Sequence, residues 1–269
     1  MSKEQQAQSH LKKSEECLKT TMFKWSPDFD SAAFESKKAA DIFRSLKKYE
    51  QSIQAYEKTS DNYLKTEVNG AYNAAKCQEL ISQCIKENTG LKTSKDVIKF
   101  ETYAENAGKL YEEPAPDTAI HFLTRCVTGI SNIISQAAFN ASPDMEYVTQ
   151  LSRTSLSLLV MAANISKRDI SRGFETAKIY SDCVKILLRL FNISDDESHL
   201  LKVQEFQRQR NHVQAAACVE NGSDPAKFGN FASEMVLVAL ANDDFVQANR
   251  IWQGMTATGQ IQAETTRIQ

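Results

Sequence analysis

The side chains that could do chemistry are scattered along this chain. Histidines stand at 10, 121, 199 and 212, and none belongs to a His-Glu-x-x-His arrangement, so no helix face offers two imidazoles to one zinc ion. Six cysteines, at 17, 77, 84, 126, 183 and 218, include no Cys-x-x-Cys pair. Cys77 and Cys84 lie two helical turns apart and Cys183 sits in an apolar helical segment; such thiols read as reduced and mostly buried. Carboxylates gather at Glu112-Glu113 and Asp195-Asp196-Glu197, expected helix ends where they complement the dipole or face water. No Gly-x-Gly and no Gly-Lys-Ser/Thr occurs, which removes the phosphate-cradling loops. These patterns predict no catalytic residue, no metal site and no cofactor. The chain reads as a binding protein, not an enzyme.

Composition points the same way. The net charge of −2 over 269 residues gives no electrostatic footing for nucleic acid. Residues 1–10 are polar and lack a signal-peptide core. The longest apolar run, Met235 to Ala241, is far too short to cross a bilayer. A cytoplasmic protein is expected.

The elements that must position any binding surface are helices. Tyr49, Ile53, Tyr56, Ser60 and Tyr63 step by 4, 3, 4 and 3. The same rhythm runs through Ala71, Ala74, Gln78, Ile81 and Ile85, through Val97, Phe100, Ala104, Ala107 and Tyr111, and through Ile120, Leu123, Val127, Ile130 and Ile134. It returns in Phe174, Ala177, Ser181, Val184, Leu188 and Phe191. Each set predicts one apolar stripe on one helix. Turn signals fall between them at Ser26-Pro27, Asn69-Gly70, Asn88-Thr89-Gly90, Pro114-Ala115-Pro116, Ser142-Pro143 and Asn221-Gly222. Ser194-Asp-Asp-Glu197 reads as a capping box. Helices of fifteen to twenty residues joined by short turns must be antiparallel neighbours. Small-with-large pairs such as Ser31-Ala-Ala-Phe34 and Ala39-Ala-Asp-Ile-Phe43 suit close helix packing. The expected fold is all-α, an array of tetratricopeptide-like antiparallel helix hairpins; an irregular helical bundle is the plainer alternative.

Two features point to partners. Leu18 to Ala33 breaks the helical pattern at a Pro-Asp turn and carries Met22, Phe23 and Trp25, large apolar side chains where a surface connection is usually polar. Either they brace the turn, with Trp25 against Phe29 and Phe34, or they reach outward. Charge also segregates. Residues 100–147 hold seven acidic and two basic side chains, whereas residues 148–192 hold seven basic (Arg153, Lys167, Arg168, Arg172, Lys178, Lys185 and Arg189) against three acidic. Such a local excess steers an acidic partner or forms the solvated faces of amphipathic helices.

The stretch Cys17-Leu-Lys-Thr-Thr-Met-Phe-Lys-Trp-Ser-Pro-Asp-Phe-Asp-Ser-Ala-Ala33 resembles the first hairpin of the soluble NSF attachment protein family, gamma type. Lys38-Ala-Ala40, Tyr49-Glu-Gln51 and Ala74-Ala-Lys76 continue the resemblance. Pro116-Asp-Thr-Ala119 with Leu123 and Arg125, and Arg210 to Val219, extend it to about residue 230, patchily between 126 and 200. The resemblance implies a right-handed hairpin array over 1–192 and a C-terminal helical bundle over 193–269. It implies an adaptor that lines the four-helix, syntaxin-type SNARE complex and recruits the hexameric ATPase NSF. Arg125, Arg153, Lys167, Arg168 and Arg172 are the expected SNARE-binding residues. Met22, Phe23 and Trp25 are the expected contacts with a membrane surface, weak and peripheral. The family ends in a tail with a near-terminal Leu, whereas this chain ends in a polar run, so a C-terminal unit shorter than the family's and poor stimulation of NSF are expected. A general tetratricopeptide-type scaffold for peptides or another trafficking complex is the competing expectation.

Overall fold

A computed structural model describes residues 2–20, 25–138, 144–194 and 196–220. The described residues are all-α. Helices α1 (Lys3–Leu18), α2 (Phe29–Ser45), α3 (Tyr49–Tyr63), α4 (Gly70–Thr89), α5 (Ser94–Tyr111), α6 (Pro116–Ala138), α7 (Met145–Ser166), α8 (Gly173–Ser194) and α9 (Ser198–Glu220) follow one another, with a 3-10 turn at Ile170–Arg172. The chain punctuates them locally. Asp28 accepts from Ser31 N and caps α2, and Thr93 with Asp96 forms a reciprocal capping box on α5. Gly90, at φ 65°, ends α4 in the left-handed conformation that glycine adopts without strain. Pro116 opens α6, where its missing N–H costs nothing.

Each helix packs on its neighbours in the chain, and the antiparallel hairpins join through one continuous core. Odd- and even-numbered helices also meet their own kind. Lys58 reaches Glu15 at 3.6 Å between α3 and α1, Lys99 reaches Glu50 at 3.7 Å between α5 and α3, and Thr154 donates to Glu101 at 2.7 Å between α7 and α5. Among even helices, Arg44 on α2 takes Glu87 on α4 with two nitrogens, at 2.5 and 3.2 Å. Arg125 on α6 reaches Glu79 on α4 at 2.5 Å. These bonds run between the repeating units of the array.

Two of the expected stripes are core throughout, and the α3 stripe is core at its centre, with Tyr49 and Tyr63 at its ends partly buried. Ile53, Tyr56 and Ser60, then Val97 to Tyr111, then Ile120 to Ile134 are buried at the expected spacing. The α4 stripe holds from Ala74 to Ile85, although Ala71 is exposed. On α8 the expected stripe is displaced. Ala177 of that stripe is buried, but the core face runs through Thr176, Tyr180, Cys183, Leu187 and Leu190 with Ile179 and Ile186 beside it, while Phe174 and Leu188 are exposed. That helix is apolar around more than one face, and α7 and α9, packed on it, select which face becomes core. On α2, Ala32, Ala33, Ala39, Ala40 and Phe43 are buried, but Phe34 points outward under the Lys38 ammonium, 4.0 Å from its centroid.

Two boundaries differ from expectation. Ser194 is the last residue of α8 and donates to Leu190 O at 2.9 Å, so it does not cap α9. Asp196 does so, accepting from Ser198 N at 2.9 Å, and these bonds hold its carboxyl below the usual range. The α2–α3 turn contains neither Gly nor Pro; Lys47 takes φ 56° there.

Candidate partner-binding surfaces

Three of the cysteines are held unreactive by burial. Cys77 and Cys183 are buried and Cys126 partly so, and desolvation pushes all three thiols up to about 12. A thiol held protonated is neither nucleophile nor metal ligand. No group of three His, Cys, Asp or Glu side chains able to hold a metal ion exists among the described residues. His10 instead meets Glu35 at 2.7 Å and fastens α1 to α2, and that hydrogen bond is the largest cause holding the Glu35 carboxyl below its ordinary range.

The five expected basic residues divide by their partners. Arg125, Arg168 and Arg172 each hold two parts of the array together. Arg125 binds Glu79, a carboxylate that also accepts from Tyr111 at 3.0 Å. Arg168 binds Glu112, which caps the C-terminus of α5; a carboxylate is unfavourable at that end and the guanidinium offsets it. Arg172 reaches Asp117 in the first turn of α6 at 2.8 Å and Asp169 at 3.6 Å, and only 19% of its side chain is exposed. Arg153 and Lys167 differ. Both are exposed, and neither has an ion pair among the described residues. Residues 153, 157, 160, 164 and 167 step by 4, 3, 4 and 3, so the two cations share the outer stripe of α7, beside a core face from Leu151 to Ile165.

Where α7 faces α5, it meets Glu101 and Glu105. Thr154 and Ser157, the second of them in the Arg153–Lys167 stripe, donate to these carboxylates, the latter at 2.6 Å. Burial raises the Glu101 pKa, and Glu105 adds repulsion. A sequence count of basic residues does not reveal this carboxylate pair, because its hydroxyl partners lie more than fifty residues away in the chain.

The first turn is pinned by polar bonds. Asp28 N donates to Cys17 O at 3.0 Å, and Ser14 Oγ donates to Ala32 O at 2.8 Å. Trp25 takes no part in bracing it: 90% of the residue is exposed, and Phe34, its expected neighbour, is itself 55% exposed. Phe29 is partly buried and lies under the Lys65 ammonium, 5.3 Å from its centroid. Met22 and Phe23 lie outside the described residues. No helix among the described residues is long and apolar enough to cross a membrane.

The chain is similar in part to a gamma-type attachment protein. Over 85 residues it is 34% identical to the gamma-soluble NSF attachment protein of Dictyostelium discoideum. That stretch is 32% of this chain and 26% of the relative, so the chain matches about a quarter of the relative's length. No family model matches. Among solved structures, the crystal structure of BtubC (BKLC) from P. vanneervenii aligns over 95% of this chain and 93% of its own, with TM-score 0.37 and 12% identity. A likeness at that level says nothing of function. What the chain shows is therefore an all-α hairpin array and a partial similarity to a gamma-type attachment protein.

Proposed function

We propose that this chain is an attachment-type adaptor that binds assembled SNARE bundles and recruits the ATPase NSF to them. The observation that carries the reading is the 34% identity to the gamma-type attachment protein, supported by the hairpin array. Residues 1–192 form the array in this proposal and residues 193–269 the C-terminal unit. Arg153 and Lys167 meet the acidic bundle, because both are exposed and carry no ion pair among the described residues. Arg125 and Arg168 stay within reach of a partner, at 65% and 60% exposure, while also holding the array together. Arg172, mostly buried, supports them. In a capture assay, the immobilised chain is expected to retain preassembled SNARE bundle. Retention of neither bundle nor NSF would favour a general peptide-binding scaffold.

The first turn supplies a weak membrane contact in the same reading. Moving one large apolar side chain out of water is worth roughly 1.5–3 kcal/mol, too little to anchor the protein but enough to add to a partner already held at the membrane. Trp25→Ser is expected to lower flotation with liposomes in the presence of SNARE bundle. Equal flotation of parent and variant would remove Trp25 from the contact.

A further inference from the structure

Helix α5 packs directly on α7, whereas α4 and α6 barely touch and leave a cleft of about 560 Å³ between them. Phe100 of α5 and Phe122 of α6 form its apolar floor, Cys126 lines one wall, and Lys86 and Arg125 stand at the rim. The Cys126 thiol, pushed up to about 12 by burial, contributes an apolar wall. The carboxylates around the cleft are already engaged: Glu79 by Arg125 and Glu87 by Arg44. Lys86 is the third cation, and it has no ion pair among the described residues.

Gly129 explains where that ammonium lies. A Cβ built at Gly129 would stand 2.5 Å from Lys86 Nζ, so the lysine reaches from α4 across the cleft to α6. Glycine inside a helix is destabilising relative to alanine. Here the missing methyl is the space that the ammonium occupies. A cation without an ion pair among the described residues is thus held over an apolar floor, at a position a side chain on α6 would deny it.

We propose that the α4–α6 cleft is a docking site for a segment of a partner protein in which a large apolar side chain stands beside a carboxylate. The apolar group lies on Phe122 and Phe100, and the carboxylate meets Lys86 and the exposed edge of Arg125. Three cations against two carboxylates give the charge complementarity. The volume falls within the range of ligand sites, about 300–1,000 Å³. The cleft is open to solvent, however, and would leave much of a free small molecule in water, whereas a side chain projecting from a partner is covered by the rest of that partner. The cleft lies between α4 and α6 over α5 and shares only Arg125 with the residues offered to the SNARE bundle, so it does not rest on the adaptor reading.

Panning the full chain against a library of short random peptides tests this. Enriched peptides are expected to place Asp or Glu beside Phe, Leu or Trp. Lys86→Glu, a change on an exposed side chain, is expected to weaken such a peptide about ten- to a hundredfold, with Lys86→Gln intermediate. Gly129→Ala is expected to raise the melting temperature while weakening the same peptide, since its methyl displaces the ammonium. A merely structural role would not move the two in opposite directions. No enrichment over the Lys86→Glu chain, enrichment of peptides without an acid, or affinity indifferent to both substitutions would overturn the proposal. Binding of dodecanoate that Lys86→Glu abolishes, with no peptide enriched, would assign the cleft to free amphiphiles and overturn it as well.

Discussion

Reversing Arg153 and Lys167 together to glutamate is expected to lower affinity for assembled SNARE bundle about ten- to a hundredfold at moderate salt. Each change removes an attraction and adds a repulsion toward an acidic partner. Both side chains are exposed and free of ion pairs among the described residues, so stability should change by no more than is typical of surface substitutions, about 0.5 kcal/mol at each position. The loss should shrink as salt rises, because exposed charges are screened over roughly 8 Å at physiological ionic strength. The same reversal at Arg172 should behave differently. It would break the contacts with Asp117 and Asp169 and lower stability along with any binding. Titration calorimetry and thermal melting on the same samples separate the two cases. Unchanged affinity in the Arg153→Glu, Lys167→Glu chain would remove the α7 stripe from the interface.

Gly70→Ala is expected to destabilise the array by about 1–3 kcal/mol, the usual cost of forcing extra atoms into a packed site. Gly70 is the buried first residue of α4, and a Cβ there would stand 2.3 Å from Tyr63 O and 3.0 Å from Thr66 Oγ1. The first of these is backbone, so nothing flexible can move aside, and the Thr66–Tyr63 hydrogen bond at 2.8 Å lies in the same place. For a chain of this size each kcal/mol lowers the melting temperature by roughly 2–4 °C. Gly129→Ala makes a useful contrast. Its new methyl meets the far end of a lysine, and the gain in helix propensity, about 1 kcal/mol, should prevail. An unchanged melting temperature for Gly70→Ala would show that the α3–α4 junction opens at little cost.

Much of the array is legible in local sequence, because its stripes and turns depend on residues three or four apart. The runs from Val97 to Tyr111 and from Ile120 to Ile134 are core throughout, and Asn69-Gly70 and Gly90 sit where the helices change. The failures have long-range causes. Helix α8 offers two apolar stripes, and only the packing of α7 and α9 decides between them. Phe34 follows Ala32 and Ala33 directly in sequence, yet helical geometry turns it away from the face they bury. At Lys47 nothing in the residue types announces the left-handed turn.

The candidate surfaces were legible only as composition. Counting charges finds the basic excess of 148–192 but not which cations are already engaged. Arg168 and Arg172 answer to Glu112 and Asp117, two helices earlier in the chain, and Arg153 and Lys167 stand out only once those pairs are known. The turn carrying Met22, Phe23 and Trp25 is conspicuous in sequence, but whether Trp25 braces or projects is a matter of exposure, and it projects. Lys86 gives no sequence signal by itself. Gly129, a glycine well inside a helical stripe, is the trace that could have led to the cleft.

The most direct measurement of the adaptor reading is ordered co-capture. The chain is immobilised and offered SNARE bundle, NSF with non-hydrolysable nucleotide, or both. The account predicts that bundle is retained alone, that NSF is retained strongly only when bundle is present, and that the Arg153→Glu, Lys167→Glu chain loses both together. Retention of NSF at the same level with and without bundle, or of neither protein under any order of addition, would contradict it.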